Sequence, residues 1–292
     1  MTIVRTSHEM ASNESRFTEN LPQLAADSFK LAQNLCDYCQ TFHSVWPYLR
    51  LARISGAIEA GRTELERVLL RSFRNGSRRV LIAGAADTGI LALVARTGFN
   101  YSPEIVVLDR CLTPLELCRR FSQRWSVPIK TIQKDLIAFD DTSRFDTIIA
   151  HSILQFISPN DRGEVLARLG GALFPRGEML QIFNVGRRIS PTLQDDYREH
   201  YAEWVLNELE LMNLPLPERN DLFRHRLADY ARERETREGS FACADEMDAL
   251  LKDARLVVRY RLPIELNLAA SHLQFASKLS KQRFLVVAGK AG

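Results

Sequence analysis

The chain of 292 residues lacks the features typical of membrane, secreted and nucleic-acid-binding proteins. No apolar run approaches the roughly 18 residues that a membrane-spanning helix needs, so we expect no membrane partner. The first twenty residues are polar and contain no apolar core of the kind found in signal peptides, which predicts a cytoplasmic protein. A net charge of +3 is too small for a continuous phosphate-neutralising surface and argues against nucleic acid as a partner.

Cysteine is scarce, and its distribution does not suggest a disulfide framework. The five cysteines are Cys36, Cys39, Cys111, Cys118 and Cys243. An odd number, thinly spread and without a signal peptide, is not typical of disulfide-stabilised proteins. Cys36, Cys39 and His43 have the spacing of one helical face. Three such residues without a matching second pair are a weak metal signal, so we expect a buried stripe of small residues and no metal.

What is present is typical of a globular protein with a large core. Hydrophobic residues make up 46% of the chain and charged residues 26%, close to the average of soluble domains. We expect residues 1–20 to form a mobile tail. Apolar residues three or four positions apart predict an N-terminal helical cap over residues 21–75, divided into two or three helices by Pro47 and Gly56. Residues 76–292 would form one α/β domain.

Short apolar runs alternate with helical patterns from residue 79 onward. The predicted strands are 79–83, 105–108, 129–133, 145–150 and 178–183, followed by 256–262 and 284–288. A helix is predicted from Thr113-Pro114, with Thr113 as N-cap, and another from Ser158-Pro159 to residue 169. The first five strands predict a parallel sheet with right-handed crossovers. The charged segment 190–239 has a helical pattern and predicts an insertion.

A glycine-containing loop follows the first predicted strand and includes Gly84 and Gly89. Glycine allows close backbone approach, and the N-terminus of the next helix offers unpaired N–H groups to an anion or nucleotide. Asp109 ends the next strand, where a carboxylate can accept hydrogen bonds from both hydroxyls of a ribose. The glycine-containing loop and the Asp109 carboxylate together predict that the chain binds a nucleoside cofactor.

Segments 79–84, 107–109, 133–136, 145–151 and 173–180 together resemble, in this order, the successive motifs of class I S-adenosylmethionine-dependent methyltransferases of the small-molecule type. The two strands after Asp253 resemble the antiparallel hairpin of that family. The resemblance implies a doubly wound, mostly parallel, seven-stranded Rossmann-like sheet with an antiparallel C-terminal hairpin. It also implies S-adenosylmethionine as cofactor.

The resemblance further implies the residues that would hold this cofactor. They are Ala83, Gly84, Ala85, Asp87 and Gly89 for the amino-acid end, Asp109 and Arg110 at the ribose, Asp135 and Leu136 at the adenine, and His151 beside the sulfonium. The loop departs from the family pattern, which has an acid on the first strand and three closely spaced glycines. Here Ile82 stands in place of the acid, and Gly84 is followed by Ala85, Ala86 and Asp87 before Gly89. Asp87 would either supply the missing carboxylate or cap the following helix.

His151 is the candidate catalytic residue because it ends the fourth predicted strand. A histidine of ordinary pKa near 6.5 at this edge can take a proton from a hydroxyl or amine as the methyl group transfers. The alternative is a structural hydrogen bond to a neighbouring carbonyl.

We expect the helical cap and the insertion to cover the carboxyl edge of the sheet and to enclose a small acceptor. The candidate acceptor-binding residues are Tyr38, His43, Trp46, Arg50, Gln155, Tyr197 and Tyr201. The alternative for the cap residues is that they only pack the helix against the rest of the domain. The alternative for Tyr197 and Tyr201 of the insertion is that they belong to the core or to a homodimer surface.

The expected activity is methyl transfer to an oxygen or nitrogen of a small, aromatic-containing metabolite. Two alternatives stay open. One is a non-methylating relative that acts as a scaffold or regulator, and the other is a nicotinamide-dependent oxidoreductase.

Overall fold

The computed structural model describes residues 17–54, 58–186, 194–217, 219–236, 241–265 and 282–290, with the backbone alone for 194–199 and 234–236. The helices are α1 (Leu21–Leu35), α2 (Gln40–Leu51), α3 (Arg62–Arg74), α4 (Gly89–Gly98), α5 (Leu112–Trp125), α6 (Arg162–Ala172), α7 (Gln194–Leu211), α8 (Asn220–Thr236) and α9 (Ala244–Asp253). The strands are β1 (Arg79–Ala83), β2 (Glu104–Asp109), β3 (Ile129–Gln133), β4 (Phe145–His151), β5 (Leu173–Val185), β6 (Leu256–Ile264) and β7 (Gln282–Lys290). Short 3-10 turns cover Phe99–Tyr101, Leu136–Ala138 and Ile153–Phe156.

The seven strands form one sheet in the order β3-β2-β1-β4-β5-β7-β6. Strands β1 to β5 are parallel, whereas β7 runs antiparallel to both β5 and β6. The predicted mostly parallel, seven-stranded sheet with an antiparallel C-terminal pair is therefore confirmed. The antiparallel β7 between β5 and β6 also distinguishes this sheet from the 3-2-1-4-5-6 order of dinucleotide-binding folds.

The carboxyl ends of β1, β2 and β4 meet at one edge of the sheet. Ala83 pairs with Leu108, and Ile82 pairs with both Val107 and Ile149, so the residues after these strands are neighbours. The strand order reverses between β1 and β4, and ligands of open parallel sheets bind at such a reversal. The fold thus places Gly84, Asp109 and His151 together.

Three apolar clusters hold the helices in place. One covers the face of the sheet against α3, α4 and α5, and a second covers the opposite face against α6 and α9. The third joins α1 and α2 to α7 and α8 through residues such as Phe29, Tyr48, Val205 and Phe223. The cap helices α1 and α2 therefore pack against the insertion helices α7 and α8, whereas α3, which also belongs to the predicted cap, packs on the sheet.

The expected helix break at Pro47 is wrong, because Pro47 lies inside α2. A proline in a helix leaves the carbonyl four residues earlier without its usual donor. Here that carbonyl belongs to His43, and the hydroxyl of the fully buried Ser28 in α1 donates to it at 2.7 Å. A side chain from the neighbouring helix thus replaces the missing backbone bond. Gly56, the other expected break, lies outside the described residues.

Two predicted helix starts are also corrected. Helix α5 begins at Leu112, with Cys111 and not Thr113 at the N-cap position, and the Thr113 hydroxyl lies 3.1 Å from the Cys36 sulfur instead. Helix α6 begins at Arg162, four residues after the predicted start.

Strand β5 is longer than predicted. It follows α6 directly and runs through the segment 175–177 that predicted a turn. Phe145 pairs with Leu173 whereas Thr147 pairs with Glu178, so extra residues bulge out of β5 without ending it.

The end of the expected mobile tail is packed against the protein. Residues 1–16 lie outside the described residues, but Phe17 is buried between the rings of Phe99 and Trp125, at centroid distances of 5.8 and 5.9 Å.

None of the helices in the described part of the chain combines the length and the apolar character that a membrane span requires.

Replacing Ser28 with alanine should lower the free energy of unfolding by about 1–3 kcal/mol, because the buried His43 carbonyl would lose its donor. Chemical denaturation would measure the change. Ser158→Ala is the control, since Ser158 is exposed and its substitution should change stability by less than about 0.5 kcal/mol. Equal effects of the two substitutions would contradict this account of Pro47.

Candidate functional site

The carboxylate of Asp109 lies at the centre of the candidate site. One oxygen accepts a hydrogen bond from the backbone N–H of Ala85 at 2.9 Å, and the other accepts from the N–H of Cys111 at 2.7 Å. Burial raises the pKa of Asp109, although the bonds from Cys111 and Ala85 act in the opposite direction. A carboxylate has about four acceptor positions, so two remain after both backbone bonds are formed.

The loop after β1 is shaped by the left-handed conformation of Gly84, whose φ is +79°. Its N–H donates to the Leu108 carbonyl at 2.8 Å, which holds the loop against β2. A Cβ at this position would lie 2.5 Å from the side chain of Ile153, in the turn after β4. Gly84 therefore allows a positive φ and a close approach between the loops after β1 and β4.

Asp87 caps α4 and also belongs to a buried ion cluster. One oxygen accepts from the N–H of Gly89, the first residue of α4, at 2.7 Å and lies 3.2 Å from the guanidinium of Arg50. Burial raises the pKa of Asp87, and the charge of Arg50 only partly offsets this. Of the two roles expected for Asp87, the structure shows the capping role.

Arg50 is fully engaged by carboxylates of the chain itself. Its two terminal nitrogens donate to both oxygens of Glu19, at 2.8 and 2.5 Å, and one of them also contacts Glu59 at 2.9 Å. These contacts, together with Asp87, join the segment before α1, the loop before α3 and the loop after β1. The expectation that Arg50 binds the acceptor is corrected, because its donors already have partners inside the protein.

Two polar side-chain atoms at the end of β4 are buried without a partner in the described part of the chain. The Nε2 of His151 and the Oγ of Ser152 are buried and have no hydrogen-bond partner among the described residues. Ser152 also has a φ of +57°, a strained conformation for a non-glycine residue. Unsatisfied buried polar groups are costly, so this pair favours a bound molecule that satisfies them.

The basicity of His151 differs from the sequence-based expectation. Burial, together with the positive charges of Arg283 and Arg50, lowers the pKa of His151 to about 3. The imidazole is therefore neutral at physiological pH and a much weaker base than a free histidine.

The residues expected at the adenine and ribose flank Asp109. Asp135 follows β3 and accepts a hydrogen bond from the N–H of Ile137 at 3.0 Å, while Leu136 is buried in the core. The side chain of Arg110 is exposed, and its carbonyl accepts from Gln133 at 3.2 Å.

A polar network and an aromatic group adjoin the end of β4. The side-chain oxygen of Gln155 accepts from the side-chain amide of Asn184 at 3.1 Å, and the Asn184 side-chain oxygen accepts from Arg283 at 2.9 Å. The rings of Phe42 and Trp46 stack with their centroids 5.3 Å apart, and the ring of Phe42 also contacts that of Phe156, with centroids 5.0 Å apart. Because Phe156 lies in the turn after β4, the α2 helix covers this part of the carboxyl edge.

Other expected acceptor residues lie elsewhere. Tyr38 is 92% exposed in the loop between α1 and α2, and Tyr201 is buried in the helical cluster against Trp204 and Tyr230, so neither side chain lines the site. The side chain of Tyr197 lies outside the described residues. These positions have helical spacing, which does not distinguish a core residue from a residue of a binding site.

The expected helical stripe of Cys36, Cys39 and His43 is corrected as well. Cys36 follows the end of α1, Cys39 precedes α2 and His43 lies in the first turn of α2, so the three residues surround an interhelical loop. Cys111 completes the group, with its sulfur 3.5 Å from the Nδ1 of His43. Local spacing does not connect Cys111 to this group, because Cys111 lies 68 positions after His43 in the sequence.

Asn184 and Arg283 were missed. Neither belongs to a recognisable motif, and Arg283 reaches the site only because β7 pairs with β5.

The strand order and the antiparallel β7 form a Rossmann-like sheet of the kind found in methyltransferase-fold proteins. No protein-family model matches the chain, and no curated protein matches it in sequence. A similar solved structure is the 1,6-didemethyltoxoflavin-N1-methyltransferase of Burkholderia thailandensis, determined with 1,6-didemethyltoxoflavin and S-adenosylhomocysteine. Its TM-score is 0.51 at 15% identity, covering 100% of this chain and 93% of that chain.

Two further solved structures have the same fold. An O-methyltransferase family protein from Burkholderia thailandensis has a TM-score of 0.50 at 12% identity, covering 98% of this chain and 68% of that chain. The geranyl diphosphate C-methyltransferase of Streptomyces coelicolor A3(2) has a TM-score of 0.50 at 9% identity, covering 78% of this chain and 79% of that chain. At these identities the similarity shows the fold alone, and that fold is the one that the ordered motifs predicted.

Replacing Arg50 with methionine should lower the free energy of unfolding by about 3–5 kcal/mol, because it leaves buried carboxylates without their cation. Denaturant unfolding would measure this. Arg224→Met is the matched control, since Arg224 forms an exposed pair with Glu203 at 3.8 Å and should change stability by at most about 1 kcal/mol. A similarly small effect at Arg50 would contradict the structural role of the cluster.

Stability should fall as the pH is lowered from about 6.5 towards 3, because His151 is neutral when folded but takes a proton when unfolded. His151→Gln should therefore reduce the stability lost between pH 7 and pH 4.5, by about 2 kcal/mol. Urea unfolding at several pH values would show the difference. A wild-type profile in His151→Gln would contradict the lowered pKa.

Proposed function

We propose that the chain transfers a methyl group from S-adenosylmethionine to an oxygen or nitrogen of a small, aromatic-containing acceptor. The observation that carries this proposal is the Asp109 carboxylate, held by two backbone N–H groups at the carboxyl edge beside the Gly84 loop. A fold shared with methyltransferases supports the choice of cofactor.

The residues present fit an adenosyl cofactor. The two unused acceptor positions of Asp109 suit the two hydroxyls of a ribose. Asp135 and Leu136 would adjoin the adenine, and the 83–85 segment would adjoin the amino-acid end. When bound, the cofactor supplies a methyl group on a positively charged sulfur.

His151 would bind the acceptor and not deprotonate it. Its neutral Nε2 can accept a hydrogen bond from an acceptor hydroxyl or amine, and Ser152 offers a second polar contact. A pKa near 3 makes proton removal by this imidazole inefficient. Methyl transfer from a sulfonium is an in-line displacement, so correct positioning of the acceptor can supply much of the acceleration.

The aromatic group of Phe42, Trp46 and Phe156 supports an acceptor that contains a ring. These side chains lie where α2 meets the turn after β4, the strand that ends at His151. A ring in the acceptor could make offset or edge-to-face contacts with these side chains, and such contacts stabilise binding by more than the burial of apolar surface alone.

One observation favours a non-methylating relative as the second candidate function. The N–H groups of Ala85 and Gly89 are both occupied by carboxylates of the chain itself, which leaves fewer donors for the carboxylate end of the cofactor. Such a protein would bind the cofactor without turnover over a panel of small hydroxyl and amine acceptors. The oxidoreductase alternative is disfavoured by the antiparallel β7, and a fluorescence titration with NADH would test it.

Replacing Asp109 with asparagine should weaken the binding of S-adenosylhomocysteine at least tenfold, because two charge-assisted hydrogen bonds to the ribose would be lost. Isothermal titration calorimetry would measure the affinity. Asp146→Asn is the matched control, since that carboxylate also accepts from two backbone N–H groups, those of Arg78 and Arg79, but at the opposite edge of the sheet. Unchanged affinity in Asp109→Asn, or no binding to the wild-type protein, would contradict the proposed cofactor site.

A further inference from the structure

Four potential metal ligands converge next to the proposed cofactor site, which they touch only through the backbone of Cys111. The sulfurs of Cys36, Cys39 and Cys111 and a ring nitrogen of His43 all lie within 4.8 Å of one another. The sulfur of Cys36 is 3.3 Å from the Nδ1 of His43 and 3.4 Å from the sulfur of Cys111. None of these cysteines forms a disulfide.

These separations are close to those around a tetrahedral zinc ion. Bonds of about 2.3 Å to sulfur and about 2.0 Å to nitrogen place the ligand atoms of such a site about 3.5–3.8 Å apart. Three thiolates and one imidazole form a complete ligand set of the kind found in structural zinc sites. A disulfide would use two of the sulfurs and leave the third beside an unused imidazole.

The local structure directs these four side chains towards one point. Cys36 and Cys39 are separated by two residues, and the turn that brings both sulfurs inward leaves Tyr38 exposed to solvent. His43 and Cys111 are buried, so the site is closed on the side of the protein. Cys111 also stands at the N-terminus of α5, where the helix dipole favours a thiolate.

A second layer of contacts supports the same assignment. The hydroxyl of the buried Thr113 lies 3.1 Å from the sulfur of Cys36 and can donate to it once that sulfur is a thiolate. The N–H of Cys111 donates to Asp109, which fixes the backbone that carries this ligand. Such outer contacts orient metal ligands and strengthen binding.

We propose that Cys36, Cys39, His43 and Cys111 bind one zinc ion that joins the loop between α1 and α2 to the segment after β2. Zinc takes the place of the protons of three thiols, which pass to water, while His43 stays neutral and coordinates through Nδ1. With four protein ligands the site has no open position, so its role is structural.

The direct test uses cobalt as a spectroscopic probe of the reduced, metal-free protein. One equivalent of Co²⁺ should produce the absorption of tetrahedral cobalt with thiolate ligands, and Zn²⁺ should displace it. Zinc should also raise the midpoint of thermal unfolding by several degrees, because it binds the folded state. Both readouts are independent of any methyl transfer, so they separate this proposal from the proposed function.

Cys39→Ser should weaken cobalt binding at least tenfold and abolish the thermal shift at the same zinc concentration. Cys39 is the ligand chosen because it lies half-exposed in a loop, where serine disturbs packing least. Cys243→Ser, at an exposed cysteine, and Cys118→Ser, at a buried cysteine outside the group, are the controls and should bind cobalt like the wild-type protein.

Three results would overturn the zinc site. They are the absence of a cobalt–thiolate spectrum in the wild-type protein, equal cobalt affinities of Cys39→Ser and Cys243→Ser, and a disulfide between two of the three cysteines in the protein as purified. The wild-type titration decides the matter even if a ligand variant does not fold.

Discussion

The two backbone hydrogen bonds of the Asp109 carboxylate connect the parts of the molecule on which the site depends. Through Ala85 they fix the loop after β1, and through Cys111 they fix the start of α5. Cys111 in turn contacts Cys36 and His43 of the first two helices. A carboxylate held in this way is oriented before a ligand arrives, which reduces the entropy lost on binding.

The helices outside the sheet are held in place by polar contacts that cross between elements. Arg50 joins the segment before α1 to the loop after β1, and Ser28 satisfies the carbonyl that Pro47 leaves free. The apolar contacts of the third cluster are less directional, so these buried polar pairs specify how α1 and α2 sit over the carboxyl edge. The position of α2 in turn places Phe42 against Phe156, beside the end of β4.

Strands β1 and β2 were predictable because each contains a short, continuous apolar run that is buried, as in 80–83. Asp109 was predictable for a related reason, since its place at the end of such a run determines the edge at which it lies. Cys111 was not connected to Cys36 because the contact depends on how α1 packs beside α5. The partners of Arg50 and the lowered pKa of His151 likewise depend on tertiary burial, which local spacing does not encode.

A crystal structure of the protein grown with S-adenosylhomocysteine would show whether Asp109 holds the cofactor. In the proposed binding mode both ribose hydroxyls donate to the Asp109 carboxylate, and the sulfur lies near the end of β4, beside His151 and Ser152. Electron density for the compound away from Asp109, or a carboxylate that contacts only Ala85 and Cys111 at saturating compound, would contradict it.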